Sequence, residues 1–251
     1  MTTMPDPRTF PAEPAPRDPL AEATARLVRT VDAMGEDDWR APSLLPGWSR
    51  AHVVAHLTLN AEALTGVLDA AGRDEPAAMY VSPERRDADI DQLAAAGTTE
   101  LRDRFLASTT TYADAVAGHP EEGWRGTFDR TPGLLPRPLA DVPAMRLREV
   151  EIHHVDLGLG ASPADWPRPF ATALVETLTA RAPGGRPLRL VATDADLTWD
   201  TEPDAPTTPV AATTVRGSIA DLAWWLTGRP PLAGTEGPRT DDGDLPRIEE
   251  L

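Results

Sequence analysis

The sequence contains no cysteine among its 251 residues. Disulfides and thiolate metal ligands are therefore both excluded, and any metal site in this chain must be built from histidine, aspartate and glutamate. A reaction that uses a thiol must likewise take that thiol from a separate small molecule.

Long apolar runs and an excess of positive charge are also missing. No run approaches the roughly 18 apolar residues that a membrane-spanning helix needs, although 41% of the chain is hydrophobic. The 24 basic residues are outnumbered by 40 acidic ones, which gives a formal charge of -16. Because basic side chains supply most of the affinity for nucleic acids and anionic membranes, we predict neither as a partner.

Residues 1–18 differ from the rest of the chain. They carry five prolines and no continuous apolar core, so they lack the hydrophobic region of a secretory signal and are expected to form a disordered leader. The remainder is long enough for two modest domains, each with its own core. We expect a cytoplasmic, monomeric protein.

The first half of the chain has a helical pattern. Asp18 before Pro19 is typical of a helix start, and Ser49 is a candidate cap for a second helix that extends to about Ala71. Further helical stretches are predicted over 83–95, 100–116 and 139–157, separated by segments rich in Gly and Pro. The stretches at 83–95 and 100–116 together form the third side of a bundle, and the stretch at 139–157 forms the fourth. These four sides predict a four-helix bundle over residues 19–160.

The second half changes character. Short helices are predicted over 170–181 and 219–227, with short β-type runs at 188–193, 197–199 and 211–216 between them. This mixture predicts a small α+β domain over residues 162–233, after a linker at 161–169. Residues 234–251 are polar and are expected to form a loose tail.

Four of the five histidines fall in two tight pairs, His52 with His56 and His153 with His154. On a helix, Glu149 and His153 project from one face about one turn apart, and so do the first two histidines. Bundle cores commonly build metal sites from such facing pairs, so two helices can supply three or four ligands. The same spacing is typical of surface ion pairs and structural histidines, and spacing alone leaves both interpretations open; Arg146 and Arg148 beside Glu149 can equally form a salt-bridged face.

Several blocks of the sequence carry a more specific pattern. They are SLLPGWSRAHVVAHL followed by Asn60 and Ala61, then MYVSPERR at 79–86, then MRLREVEIHHVDLG at 145–158, and finally a block that starts GSIA at 217 and ends at Arg229. The blocks occur in order and span almost the whole chain after the leader. In these blocks the sequence resembles the mycothiol-dependent maleylpyruvate isomerases.

The resemblance implies a fold and a set of metal ligands. The fold is α followed by α+β: a DinB-like metal-binding four-helix bundle and a small domain similar to sterol carrier proteins. The metal, usually zinc, is held in that family by residues that match His56, Glu149 and His153. Three protein ligands leave one position open to water or substrate, as in catalytic zinc sites. Candidates for supporting or structural roles beside the ligands are His52, His154 and Asp156.

The resemblance also implies a reaction, the cis to trans isomerisation of maleylpyruvate with mycothiol as thiol cosubstrate. Such a reaction needs a nucleophile that adds to the conjugated double bond, permits rotation and leaves again. A metal ion with an open position stabilises the thiolate that does this at neutral pH. Because the substrate carries carboxylates and develops enolate charge, cations are needed opposite the metal. Arg86 and Arg229, at family-like positions, are the candidates, and solvated surface arginines are the alternative interpretation.

Two other functions stay open at this point. A mycothiol S-transferase would add the thiol permanently to another electrophile, and no residue in the sequence selects maleylpyruvate over such substrates. A metal- or ligand-binding module without turnover is the non-enzymatic alternative, although an open metal position argues against it. For an enzyme, the expected partners are a small electrophile and a low-molecular-weight thiol.

Overall fold

The computed structural model describes residues 18–179, 187–201, 212–241 and 243–248. Apart from Asp18, the predicted leader lies outside the described residues. The first part of the chain forms helices α1 (Pro19–Asp32), α2 (Glu36–Arg40), α3 (Arg50–Gly72), α4 (Pro83–Ala94), α5 (Thr98–Gly118) and α6 (Val142–Asp156). None of the helices in the described part of the chain has the length and apolar content that crossing a bilayer requires.

Polar side chains fix the starts of the bundle helices. The Asp18 carboxylate accepts hydrogen bonds from backbone amides of the first turn of α1. Ser49 accepts from the backbone N–H of His52 at the start of α3, and Ser82 caps α4 in the same way. Such caps satisfy amides that the helix itself leaves unpaired, so these helices begin where their capping residues indicate.

Helices α1, α3, α5 and α6 form the predicted four-helix bundle. Helix α3 packs against both α5 and α6, α1 closes the other side, and α4 lies on α3. Val53, Leu57 and Leu64 of α3 have no exposed surface. Burial of such a side chain contributes about 1.5–3 kcal/mol relative to exposure. This core holds the histidine-bearing turns of α3 next to α6.

The segment between α5 and α6, which the sequence marks only as rich in Gly and Pro, contains regular secondary structure. Strands β1 (Thr127–Phe128) and β2 (Arg137–Pro138) pair antiparallel, and the Tyr80 N–H donates to the Arg130 carbonyl at 3.1 Å. Strands of two residues have no alternation that a sequence pattern can reveal. The result is a hairpin attached to the chain that follows α3.

The C-terminal part is a small sheet with two helices. Its elements are α7 (Arg168–Thr179), β3 (Leu188–Ala192), β4 (Thr198–Asp200), β5 (Thr213–Gly217), α8 (Ile219–Leu226) and β6 (Arg239–Thr240). The strand order is β4-β3-β5-β6, with the central pair parallel and the outer pairs antiparallel. Helices α7 and α8 pack together against the sheet. The predicted α+β character is confirmed.

The predicted loose tail differs in part from the structure. Strand β6 pairs with β5, and Leu245 and Ile248 pack against the C-terminal core. A two-residue strand and two isolated apolar side chains cannot be recognised in the sequence of a polar segment, because neither produces a periodic pattern.

Helix α6 belongs to both cores. Val150 packs in the bundle, whereas Ile152 and Val155 pack with Trp166 in the C-terminal core. The Trp166 indole N–H also donates to the Glu151 carbonyl at 3.3 Å. The helix that carries Glu149 and His153 is therefore positioned by both parts of the molecule.

Candidate metal centre

His56, Glu149 and His153 converge where α3 faces α6. Their potential ligand atoms all lie within 4.8 Å of one another. His56 Nε2 lies 2.8 Å from Glu149 Oε2, and His153 Nε2 lies 3.3 Å from the same oxygen. In the described part of the chain, this is the one group of three such side chains close enough to hold a metal ion.

The donor set fits zinc or a similar divalent ion. Two imidazole nitrogens and one carboxylate oxygen form a common ligand set of catalytic zinc, which keeps a fourth position for water or substrate. The imidazole rings of His56 and His153 meet edge-on, with centroids 4.6 Å apart. Both Nε2 atoms lie near the same carboxylate oxygen of Glu149.

The protonation states of two of the three side chains also suit a cation. Burial lowers the pKa of His56, which is therefore neutral at pH 7. Burial raises the pKa of Glu149, but the hydrogen bonds of this carboxylate with His153 and His56 outweigh burial and hold the pKa well below its usual range. Neutral imidazole and ionised carboxylate are the forms that bind metal. At His153, burial is outweighed by Asp156 and Glu149, which raise the pKa of His153, so a proton and a cation compete there.

Asp156 links His153 to the C-terminal domain. One of its oxygens lies 2.8 Å from His153 Nδ1. Arg229 donates to both oxygens, from Nε at 2.8 Å and from Nη2 at 2.7 Å. Asp156 has no exposed surface, and Arg229 is 7% exposed. A carboxylate in this position fixes the tautomer and orientation of a ligand histidine.

The three side chains border a cavity of about 340 Å³ that is rich in arginine. The arginines that line it are Arg86, Arg130, Arg137, Arg148 and Arg229. Glu149 is the one carboxylate among the lining residues. A concave surface with this balance of charge attracts anionic ligands, even in a protein whose formal charge is -16.

Arg86 and Arg229 both reach the cavity, but each already has a partner. Arg86 lies over the Tyr80 ring and pairs with Asp87 at 2.7 Å. Arg229 is buried against Asp156, so the alternative of a solvated surface arginine does not apply to it. Arg146, for which the sequence allowed a salt-bridged face, is instead 1% exposed in the interior of the bundle.

Tyr80, Arg130 and Arg137 also line the cavity, although the sequence does not single them out. Tyr80 lies in the block at 79–86 that carries the family resemblance, and this block is the signal that could have identified it. Arg130 and Arg137 lie on the hairpin, where no periodicity or motif distinguishes them from surface arginines.

The remaining paired histidines lie outside the cluster. His52 Nδ1 is 2.6 Å from the Ser49 hydroxyl, so this side chain belongs to the cap of α3. His154 Nε2 is 2.8 Å from the Thr30 hydroxyl, which places it against α1 rather than in the cavity. Both have structural partners.

The fold and the centre together define a class: helical-bundle proteins with a centre of two histidines and one carboxylate, completed by a small α+β domain. Within it, the chain belongs to the mycothiol maleylpyruvate isomerase family, because the model of that family's N-terminal domain matches residues 20–158. The model of the family's C-terminal domain matches residues 158–250. The predicted resemblance is confirmed.

Two solved structures are similar over nearly the whole chain. One is the crystal structure of the mycothiol-dependent maleylpyruvate isomerase, at 28% sequence identity, and the other is a histidine-to-alanine mutant of it, at 27%. Each has a TM-score of 0.82 and covers 93% of this chain and 94% of its own. Comparison with curated proteins gives no match. The predicted fold class is confirmed, and the family is one of enzymes.

Proposed function

We propose that this chain is a metal-dependent enzyme that isomerises maleylpyruvate or a close analogue, with mycothiol as cosubstrate. The observation that carries the proposal is the convergence of His56, Glu149 and His153 at the wall of an arginine-lined cavity. Membership of the family supports the type of reaction. The division into a bundle at 19–160 and a small domain at 162–233 stays a prediction.

The chain's own residues have distinct tasks in this proposal. His56, Glu149 and His153 would hold zinc or a similar ion, which lowers the pKa of a bound thiol so that it is largely thiolate at neutral pH. Asp156 orients His153, and Arg229 positions Asp156. The sulfur comes from the cosubstrate, because the chain has no cysteine.

Arginine side chains are proposed to bind the carboxylates of the substrate. Arg86 remains a candidate, and Arg130 on the hairpin lines the same cavity. Planar guanidinium groups bind carboxylates with two parallel hydrogen bonds, which fixes orientation as well as charge. Arg229 already forms two such hydrogen bonds with Asp156, so its proposed role is to position Asp156 rather than to bind substrate.

Metal analysis tests the centre. Purified protein should contain about one divalent ion per chain, and His56→Ala, Glu149→Ala or His153→Ala should each lower the metal content strongly. His52→Ala is the matched control, because this histidine precedes His56 by one turn and bonds to Ser49 instead. Full metal content in all three ligand variants would overturn the assignment.

Product analysis tests the reaction. Isomerisation of maleylpyruvate should require added mycothiol, should stop when the metal is removed, and should leave the amount of free thiol unchanged. Stoichiometric loss of thiol into a stable adduct would instead identify a mycothiol S-transferase. Isomerisation at full rate in thiol-free buffer would rule out the thiol mechanism.

A further inference from the structure

Tyr80 lies in the cavity beside the candidate metal centre, and it is one of only two tyrosines in the chain. Its phenol is near enough to Glu149, Arg86 and Arg130 for their charges to act on it. Arg86 lies over the ring, with its guanidinium carbon 5.9 Å from the centroid. The phenol therefore shares the cavity with the carboxylate of the centre and with the proposed carboxylate-binding arginines.

A buried side chain of α6 fixes the orientation of Asn60. Arg146 Nη1 donates to the Leu57 carbonyl and to Asn60 Oδ1, both at 2.8 Å. A guanidinium group has donors only, so the oxygen of the Asn60 amide must face Arg146 and its NH₂ group must face away. Asn60 lines the cavity together with Tyr80, and its amide acts on the phenol in the direction that lowers the pKa of Tyr80. A donor that faces the phenol oxygen has this effect, so the NH₂ group of Asn60 is directed at that oxygen.

This direction leaves the phenol hydrogen for a ligand. A phenol that accepts from an amide keeps its own O–H to donate elsewhere. Burial, followed by the charge of Glu149, raises the pKa of Tyr80, so the group stays protonated at neutral pH. Arg146, Asn60 and Tyr80 thus form a relay from the core of the bundle that presents one O–H to the cavity.

We propose that Tyr80 is a catalytic hydrogen-bond donor to the carbonyl oxygen that is conjugated with the substrate double bond, and that Asn60 and Arg146 are positioning residues that aim it. The inference rests on the proposed isomerase function. It assigns the stabilisation of enolate charge to a neutral phenol, in addition to the arginines that bind carboxylates.

The donor acts in both halves of the reaction. As the sulfur of the thiolate bonds to the alkene carbon, the π electron pair moves to the carbonyl oxygen, and the Tyr80 O–H donates to the enolate oxygen without losing its proton. The former double bond then rotates as a single bond. The electron pair returns, the double bond reforms, and the carbon–sulfur bond breaks with its pair on sulfur. No proton or electron is consumed over the cycle.

Tyr80→Phe tests the donor, because it keeps the ring under Arg86 and removes only the hydroxyl. With maleylpyruvate and mycothiol, kcat should fall about 100-fold, as for the loss of a preorganised donor to an oxyanion, while KM changes little. Metal content and Tm should stay at wild-type values. Tyr112→Phe is the matched control: its hydroxyl is buried without a hydrogen-bond partner among the described residues, and it does not line the cavity, so kcat should be unchanged.

Asn60→Asp tests the relay. A carboxylate at this position cannot donate, so the phenol would turn its hydrogen toward it and away from the cavity, while the carboxylate still accepts from Arg146. The value of kcat should fall to within a few-fold of that of Tyr80→Phe, and the double variant should fall no further.

Each outcome decides one part of the inference. Near wild-type kcat in Tyr80→Phe, or a rise in KM alone, would overturn the catalytic role while the isomerase function stands. Independent, multiplying losses in the double variant would overturn the relay. Absence of mycothiol-dependent isomerisation in the wild-type protein would overturn the proposed function and this inference with it.

Discussion

Asp156 is the residue through which the candidate metal centre and the C-terminal domain are connected. Asp156→Asn keeps the shape of the side chain but leaves Arg229 as a buried cation without a counter-charge. Breaking a buried pair in this way costs about 3–5 kcal/mol. Because the partner of His153 is also weakened, metal affinity should fall about 10- to 100-fold. Chelator competition and thermal unfolding measure the two effects.

The matched control is Asp38→Asn. Its carboxylate pairs with Arg50 at 2.9 Å, but the Asp38 side chain is 41% exposed and lies outside the cavity. Exposed pairs contribute about 0–1 kcal/mol, so both stability and metal affinity should change little. Equal effects of the two substitutions would contradict the role assigned to Asp156.

Tyr112 gives the stability of the protein a dependence on alkaline pH. Burial raises the pKa of Tyr112, an effect that Arg146 opposes and Asp18 reinforces. In the unfolded chain a tyrosine ionises near pH 10, so above that pH the unfolded state has released a proton that the folded state keeps. The free energy of unfolding must then fall as pH rises, by roughly 1 kcal/mol at pH 11 from this group.

Tyr112→Phe should remove the part of the alkaline decrease in the free energy of unfolding that Tyr112 causes. Urea unfolding at pH 8, 10 and 11 should show the variant losing less stability than the wild type, while the two are similar at pH 8. A parallel loss in both proteins would show that Tyr112 is not the group responsible.

At the scale of single elements, a substitution at the cap of α3 should change the stability of the helix without changing metal binding. Ser49→Ala removes the hydroxyl that accepts from the His52 amide and contacts its ring. Loss of a serine N-cap costs about 1 kcal/mol. His56 lies almost two turns further along and is held by the core around Val53 and Leu57, so metal content should not change.

Ser82→Ala is the corresponding control, because Ser82 caps α4, which carries no candidate ligand. Both variants should lower Tm by similar amounts and keep full metal content. Loss of metal from Ser49→Ala alone would show that the cap itself positions His56.

The helices could be predicted from the sequence because their starts and faces are local features. Asp18 and Ser49 mark starts by side-chain chemistry, and apolar spacing marks the buried faces. Helix α2, the β1–β2 hairpin and β6 were not predicted. Helix α2 has five residues, and strands β1, β2 and β6 have two each, so no periodic pattern marks them and their conformation is decided by pairing and packing with distant segments.

The same distinction applies to the candidate centre. The spacing of Glu149 and His153 on one helix is local, and so it could be read directly, whereas the identity of the facing ligand came from the family resemblance. The link from Asp156 to Arg229 joins residues 73 positions apart, and the relay from Arg146 to Asn60 spans 86. Such contacts depend on how helices and domains pack.

For the molecule as a whole, the distribution of arginine predicts how salt affects substrate binding. All 24 basic residues are arginines, and five of them line one cavity. At about 10 mM salt the Debye length is about 30 Å, so the net negative charge repels an anionic substrate; near 150 mM it is about 8 Å and only nearby charges act. KM should therefore fall between these concentrations and rise again toward 1 M, where the cavity arginines are screened as well.

Initial rates over this range of sodium chloride measure the effect, and kcat should stay constant. Arg130→Gln should flatten the rise at high salt. Arg40→Gln removes an exposed arginine outside the cavity, and its KM should follow the wild-type curve. A steady rise in KM from the lowest salt would show that long-range repulsion is negligible.

The position of α6 in both cores also determines how the molecule opens. Ile152 and Val155 lose their apolar neighbours if the C-terminal domain detaches, and Val150 loses its own if the bundle opens. Neither domain can fluctuate far without exposing a face of the helix that bears two of the three candidate ligands. Local opening that would release a bound ion thus requires a large, infrequent excursion of the chain, so a metal at this centre would exchange slowly with solution even if its equilibrium affinity were modest.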